Sequence, residues 1–302
     1  MKIGIIGAGS IGLLFASYLS RVFNVTIYTR AEEQALEINK HGILLKKGSM
    51  LKYQFVKALP MTEWRGREDL TIIAVKQYQL PAIIEKIKYL PAVPESLLFL
   101  QNGMGHLKLL ENIRTNNLFV GSVEHGALKK NSFMVSHNGE GVTNVAVFHG
   151  NATLLHQLAA SVSIEFPVVF QRDYYSMLIN KLIVNAVINP LTAILRVKNG
   201  ALITNQFYFY ALKSLFSEIS FILNLNLEKQ EDHLQQIITI CKKTAENHSS
   251  MLKDIEANRL TEIDAILGFL LEEANKQKRP ATQIENLYNL IKGKEIEKGV
   301  YS

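Results

Sequence analysis

The stretch that most constrains this chain is its beginning, KIGIIGAGSIG, residues 2–12. A short apolar run reads as a buried strand. A loop with glycines at 7, 9 and 12 follows, and SIGLLFASYLSRV then reads as a helix. In a strand–loop–helix context this spacing is the fingerprint of a dinucleotide site. Gly7 permits the tight turn, Gly9 removes the Cβ that would keep a pyrophosphate away, and Gly12 lets the helix pack closely on the strand. The anion would rest on the N–H groups that a helix start leaves without partners. Residues Gly7, Ala8, Gly9, Ser10, Ile11 and Gly12 are therefore expected to bind a cofactor. Without a ligand the same pattern would be only a glycine turn.

The second strand, VTIYT, ends at Thr29 and Arg30 with no acidic residue at that edge. NAD sites hold the ribose 2′-hydroxyl with an Asp or Glu there, whereas an arginine suits a 2′-phosphate. The expectation is NADP(H), with Arg30 facing the phosphate; the alternative is a solvated surface arginine. Two further polar loops fall beyond strand ends, where ligands of open α/β sheets bind. Lys76 follows LTIIAV in VKQYQ, and Asn102 follows SLLFL in QNGMG. Each alone would pass for a strand-end lysine or a turn asparagine; their shared edge with the glycine loop points to the cofactor.

Strand-like and helix-like runs alternate over residues 1–125, which predicts a parallel, doubly wound sheet. Residues 131–149 read as a hairpin turning at Asn138-Gly139, and IEFPVVF as a last strand. From Asp173 glycine becomes scarce and long helical periodicities take over. The expected architecture is an α/β Rossmann-type dinucleotide-binding domain over residues 1–170, followed by an all-α C-terminal domain over 171–302.

One helical stretch in the second half, KLIVNAVINPL, is core-grade except for Lys181, Asn185 and Asn189. Residues four apart lie about 6 Å apart along a helix axis, so the three form one row about 12 Å long. An unpartnered buried amide costs about 1–3 kcal/mol and an unpartnered charge more, so the row needs partners. It is either a polar seam between helices, with Asn189 ending a turn before Pro190, or the floor of a small polar substrate's site. NHSSMLKDI adds Ser249 and Ser250, which could equally cap a helix. TEIDAIL adds Glu262, beside a Thr261–Asp264 pair with capping-box spacing.

Composition narrows the function classes. Lys plus Arg exceed Asp plus Glu by 33 to 27, a modest excess without a dense basic run. It suits an anionic small molecule and argues against nucleic acid. A single cysteine, Cys241, excludes an internal disulfide, and no Cys/His cluster suggests zinc or another metal. Glycines interrupt the apolar N-terminus, so it does not read as a signal peptide, and no uninterrupted apolar run is long enough for a membrane span. A cytoplasmic protein without membrane partners is expected.

Taken together, GAGSIG, VKQYQ, QNGMG, NKLIVNAVINPLTAI and AENHSSMLKDIEANRLTEIDAILGFLL resemble, in order and over nearly the whole chain, the ketopantoate reductases (2-dehydropantoate 2-reductases). The resemblance implies NADPH-dependent reduction of 2-dehydropantoate to (R)-pantoate, on the route to pantothenate and coenzyme A. It implies Lys181 and Glu262 as catalytic residues. Asn185, Asn189, Ser250 and Asn102 are implied as substrate-binding, and Arg30, Lys76 and Asn102 as facing cofactor. It leaves a homodimer open. One departure is GSVEHGA, where family members commonly carry a small residue or Thr in place of Glu124; neither Glu124 nor His125 is given a role. The competing expectations are a reductase of another branched 2-oxo acid with the same fold, and a non-catalytic NADP(H) sensor.

Overall fold

The computed structural model describes residues 1–162, 164–297 and 299; the end of the expected helical domain, 300–302, lies outside them. In chain order the first part contains β1 (Lys2–Ile6), α1 (Ser10–Leu19), β2 (Asn24–Thr29), α2 (Glu32–His41), β3 (Ile43–Lys47), β4 (Met50–Gln54) and β5 (Lys57–Pro60). It continues with β6 (Leu70–Ile73), α3 (Leu80–Lys88), β7 (Ser96–Phe99), α4 (Leu107–Leu110), β8 (Asn117–Val123), β9 (Gly126–Lys129), β10 (Met134–Gly139), β11 (Thr143–His149), α5 (Thr153–Ser161) and β12 (Val168–Gln171). Helices follow: α6 (Tyr174–Leu195), α7 (Ala201–Thr204), α8 (Gln206–Ile222), α9 (Leu227–Lys243), α10 (Ser250–Glu256), a π-helical turn (Asp264–Gly268) running into α11 (Phe269–Lys276), and α12 (Thr282–Glu297).

The chain divides into two compact units. One holds Met1–Gln101 and Lys108–Met177; the other holds Asn102–Leu107 and everything from Leu178. The first unit is built on an eight-stranded sheet in the order β12-β11-β8-β7-β6-β1-β2-β5. All its neighbours are parallel except β11 against β8. Strands β6, β7 and β8 are buried along their whole length. That is why they read as unbroken apolar runs rather than alternating ones. The order from β5 to β8 is the doubly wound one, and its direction reverses between β1 and β6, where such sheets bind ligands.

A second, four-stranded sheet, β4-β3-β10-β9, was not expected. Nor do residues 131–149 form a hairpin: β10 joins β9 and β3, while β11 joins β8 and β12 in the larger sheet. Asn138-Gly139 marks the place where the chain changes sheets. The β9–β10 register slips between His137 and Gly139, and a Cβ on Gly141 would lie 2.5 Å from the Glu124 carbonyl oxygen. Glycine there permits close crossing of two backbones rather than a tight reversal.

Among the described helices α6 is the longest, at 22 residues. Leu182, Ile183, Ala186 and Val187 are fully buried, and Lys181 and Asn185 are only partly so. By length and hydropathy α6 could cross a membrane, but 72% of its most apolar window is buried inside the protein, which a core helix also satisfies. The helix does not stop at Asn189; it passes through Pro190 to Leu195. Its neighbours start on side-chain caps. Asn205 accepts from the Phe207 and Tyr208 N–H groups, Asn226 from Lys229, and Ser249 from Leu252; each such cap contributes about 1 kcal/mol.

Candidate active site

The glycine loop leaves β1 at the point where the sheet order reverses. The Gly7 N–H donates to the Tyr28 carbonyl oxygen at 2.9 Å, and the Ala74 N–H to that of Ile6 at 2.9 Å. The loop is thus stitched to the ends of β2 and β6. Gly7 has φ of +104°, and a Cβ on it would meet Val75 at 2.8 Å. A Cβ on Gly12 would lie 1.7 Å from the Gly7 carbonyl oxygen, whereas one on Gly9 would meet nothing within 4 Å. Gly7 and Gly12 are needed by the fold, and the space above Gly9 is open on the side where a pyrophosphate must come close. Helix α1 has neither a side-chain cap nor an acidic residue in its first turn, so its leading N–H groups stay available to an anion. The residues present therefore fit a dinucleotide.

Arg30 is exposed directly after β2. Buried Thr29 before it donates its hydroxyl to the Ala31 carbonyl oxygen at 2.7 Å. Lys76 is partly buried, and its N–H donates to the Gln79 Oε1 at 3.1 Å, which ties down the loop after β6. Gln101, which the sequence reading passed over, is 3% exposed and donates to the Ile73 and Val75 carbonyl oxygens at 3.0 and 2.9 Å. It locks the end of β7 to that of β6, and the chain leaves the sheet immediately afterwards.

Asn102–Leu107 belongs to the helical unit. There the Asn102 Nδ2 donates to the Glu262 carboxylate at 2.7 Å. The Met104 N–H donates to the Ala265 carbonyl oxygen at 3.1 Å. Gly103 between them has φ of +75°, and a Cβ on it would come within 2.1 Å of that same oxygen. Ala265 sits in the π-helical turn, where the wider winding shifts the usual helical hydrogen-bond pattern. Glu262, 7% exposed, stands just before this turn. The structure therefore brings Asn102 and Glu262 together. It does not form the expected capping box. Thr261 donates its hydroxyl and its N–H to Glu295 at 2.7 and 2.8 Å, and Asp264 accepts from Tyr288 and Lys292. A buried carboxylate on α12 has outcompeted the local cap.

Along α6, Asn189 is 7% exposed and Asn185 partly buried; their side-chain amides have no hydrogen bond within the described residues. Thr192, three residues past Asn189 and also missed, lies 2.8 Å from the Ser249 hydroxyl and donates to the Ile188 carbonyl oxygen at 2.7 Å. Buried Ser249 is thereby committed to capping α10 and to Thr192, whereas Ser250 is exposed. A β-hydroxyl three residues on from an asparagine on a helix was the available signal for Thr192.

The ketopantoate reductase PanE/ApbA family model matches residues 3–150, and the model of its C-terminal part matches residues 173–295. The chain belongs to the ketopantoate reductase family. Among ketopantoate reductases it is 42% identical over 297 residues to the 2-dehydropantoate 2-reductase of Bacillus subtilis, covering 98% of both chains. The crystal structure of the probable 2-dehydropantoate 2-reductase from Bacillus subtilis superposes with a TM-score of 0.88 at 41% identity, covering 98% of this chain and 100% of that one. A D-mandelate dehydrogenase, solved with NADH and anilino(oxo)acetate, shares the fold at 23% identity and a TM-score of 0.87, covering 99% of this chain and 100% of that one.

Glu124 directly follows β8. It is exposed and accepts from Asn144 at 3.0 Å, and Asn144 in turn accepts from Gln171 at 2.8 Å, a polar chain across neighbouring strands. His125 is buried, stacked on Phe166 at 4.4 Å. Its Nδ1 accepts the Gly141 N–H and lies 3.2 Å from the His137 Nε2, whose ring also meets the Tyr18 hydroxyl at 2.8 Å. Nδ1 is therefore unprotonated, and His137 Nε2 must carry the hydrogen between the rings. Burial, reinforced by the neighbouring His137, lowers the His125 pKa to about 4. His106, in the Asn102–Leu107 segment, is fully buried with no partner on either ring nitrogen among the described residues, and burial lowers its pKa to about 4 as well.

Proposed function

We propose that this chain reduces 2-dehydropantoate to (R)-pantoate with NADPH, with Lys181 as the acid. The observation that carries the assignment of roles is the row Lys181, Asn185, Asn189 on α6. It puts one ammonium and two hydrogen-bonding amides in one row on a largely apolar stretch of α6, in a chain that matches the ketopantoate reductases along its length.

Bound NADPH supplies the hydride for the ketone carbon of the substrate. The chain's task is the oxygen, where negative charge grows as the carbonyl is reduced. An ammonium stabilises that charge more than it stabilises the neutral ketone, so it lowers the barrier instead of merely tightening binding. Lysine carries its proton at neutral pH and can pass it to the oxygen. Glu262, held by Asn102, orients the substrate hydroxyl or Lys181. Asn185, Asn189 and Ser250 hold the substrate's carboxylate and hydroxyl groups. Gly7 to Gly12 receive the pyrophosphate, Arg30 the 2′-phosphate, and Lys76 offsets negative charge at the same strand edge. The end of β2 at Thr29, followed by Arg30 and not by an acidic residue, supports NADPH over NADH.

The test is NADPH oxidation with ketopantoate by wild type and Lys181→Ala. Turnover is expected to fall by about 10²–10³-fold, the scale set by loss of one oxyanion-stabilising group, with NADPH affinity retained. Unchanged turnover in Lys181→Ala would remove the acid from this scheme. A strong preference for another branched 2-oxo acid would move the substrate assignment while leaving the chemistry in place.

A further inference from the structure

The end of β9 brings a second cation to the cofactor side of the dinucleotide unit. The Lys129 N–H donates to the Ser10 hydroxyl at 2.9 Å, so the last residue of β9 is fastened to the first residue of α1. On the other flank, the Gln34 Nε2 bridges the Ala8 and Ser132 carbonyl oxygens at 2.9 and 2.8 Å. One side chain of α2 thus ties the glycine loop to the β9–β10 connection. Arg30 enters from the end of β2, four residues before Gln34, and Lys129 from the smaller sheet, three residues before Ser132. Lys129 is thus fastened by its backbone to the start of α1 from the smaller sheet, while Arg30 directly follows β2 of the larger one.

Among the described residues no carboxylate and no side-chain hydrogen bond serves the Arg30 guanidinium or the Lys129 ammonium. Lys129 is partly buried. Burial first, and then repulsion from Arg30, lowers its pKa. For folding alone this arrangement is unfavourable, because like charges are brought together and one is partly removed from water. A dianion lying between them reverses the sign of both effects. The guanidinium offers a planar fork and the ammonium a compact point charge, a complementary pair for a phosphate.

We propose that Lys129 is a second cation for the 2′-phosphate of NADPH, joining Arg30 there from the smaller sheet. This rests on the NADPH assignment above. It makes the choice of cofactor a property of both sheets and assigns the smaller sheet a task, since its edge strand delivers the ammonium.

The probes are 2′,5′-ADP and 5′-AMP, which differ only in the phosphate at issue, titrated calorimetrically into the full chain. Wild type is expected to prefer 2′,5′-ADP. Lys129→Met keeps the aliphatic stem and should lower the ratio of the two affinities about tenfold, the value of one charge-assisted hydrogen bond. Lys129→Arg should restore most of the ratio, and the dependence of 2′,5′-ADP binding on salt should become shallower in Lys129→Met. A thermal melt of each variant checks that it is folded. If Lys129→Met keeps the wild-type ratio while Arg30→Met loses it, Lys129 is no part of the subsite and the NADPH assignment stands. If wild type itself binds both nucleotides equally, the NADPH assignment fails and this proposal falls with it.

Discussion

Replacing Gly103 with alanine should be far more damaging than a glycine-to-alanine change normally is. At φ of +75° the new Cβ costs about 1–2 kcal/mol from backbone sterics alone. It would also sit 2.1 Å from the Ala265 carbonyl oxygen and 2.5 Å from its carbon. No rotamer change relieves this, because both partners are main chain. The loop must retreat by roughly 1 Å or more to reach ordinary van der Waals separation. That retreat breaks the 3.1 Å bond from the Met104 N–H and leaves buried polar groups unmet, at about 1–3 kcal/mol. The sum is about 2–5 kcal/mol, offset by less than about 1 kcal/mol from the stiffer unfolded chain. Gly48 is the internal control: it has φ of +59° but open space around its Cβ position, so Gly48→Ala should cost only about 1 kcal/mol. Denaturant unfolding of both variants gives the two values. Because Asn102 moves with the loop and loses its hold on Glu262, kcat should also fall in Gly103→Ala and not in Gly48→Ala. Equal destabilisation of the two variants would refute the steric argument, and full turnover in Gly103→Ala would detach the loop geometry from catalysis.

Two other outcomes follow from the same coordinates. His106 is neutral in the folded chain down to about pH 4, whereas an exposed histidine takes up its proton near pH 6.5. Between those values the unfolded state binds more protons, so stability falls as pH drops from about 6.5 to about 4 and is fully present above that window, with His106 alone accounting for about 3 kcal/mol. Unfolding free energies measured across this range should be flatter by that amount in His106→Leu, and a parallel profile would sink the assignment. Ser249→Ala should cost about 1–2 kcal/mol through loss of the α10 cap and the Thr192 contact. Ser250→Ala should change stability by less than about 0.5 kcal/mol and raise KM for the oxo acid; the reverse pattern would exchange the two serines' roles.

How much was legible in the chain depended on how local each signal was. Gly7, Gly9 and Gly12 could be read because their reasons are backbone reasons, confined to one turn. The α6 row could be read because helical spacing alone places Lys181, Asn185 and Asn189 together. The second sheet was hidden because β3, β4 and β9 are partly exposed, mixed strands whose partners are remote: β3 pairs with β10 some ninety residues later. Asn138-Gly139 misled because glycine serves both tight turns and close crossings, and only the partner strands distinguish them. The Thr261–Asp264 box failed for a related reason: Glu295, 34 residues away, makes a better acceptor than any neighbour. Ser249 and Ser250 could not be separated until the buried Thr192 hydroxyl was placed beside one of them.

The six residues from Asn102 to Leu107 have a consequence for anyone who cuts this chain. Its two compact bodies are not beads joined by a single thread, since the polypeptide passes from one to the other at 101–102, returns at 107–108 and leaves again at 177–178. A fragment beginning at Leu178 would arrive without Asn102, Gly103 and Met104, and the π-helical turn would have nothing to close upon. For the same reason, a chimera spliced near residue 175 would set one homologue's Asn102 loop against another's Glu262. Grafts of helical halves should therefore carry their own Asn102–Leu107 insert with them.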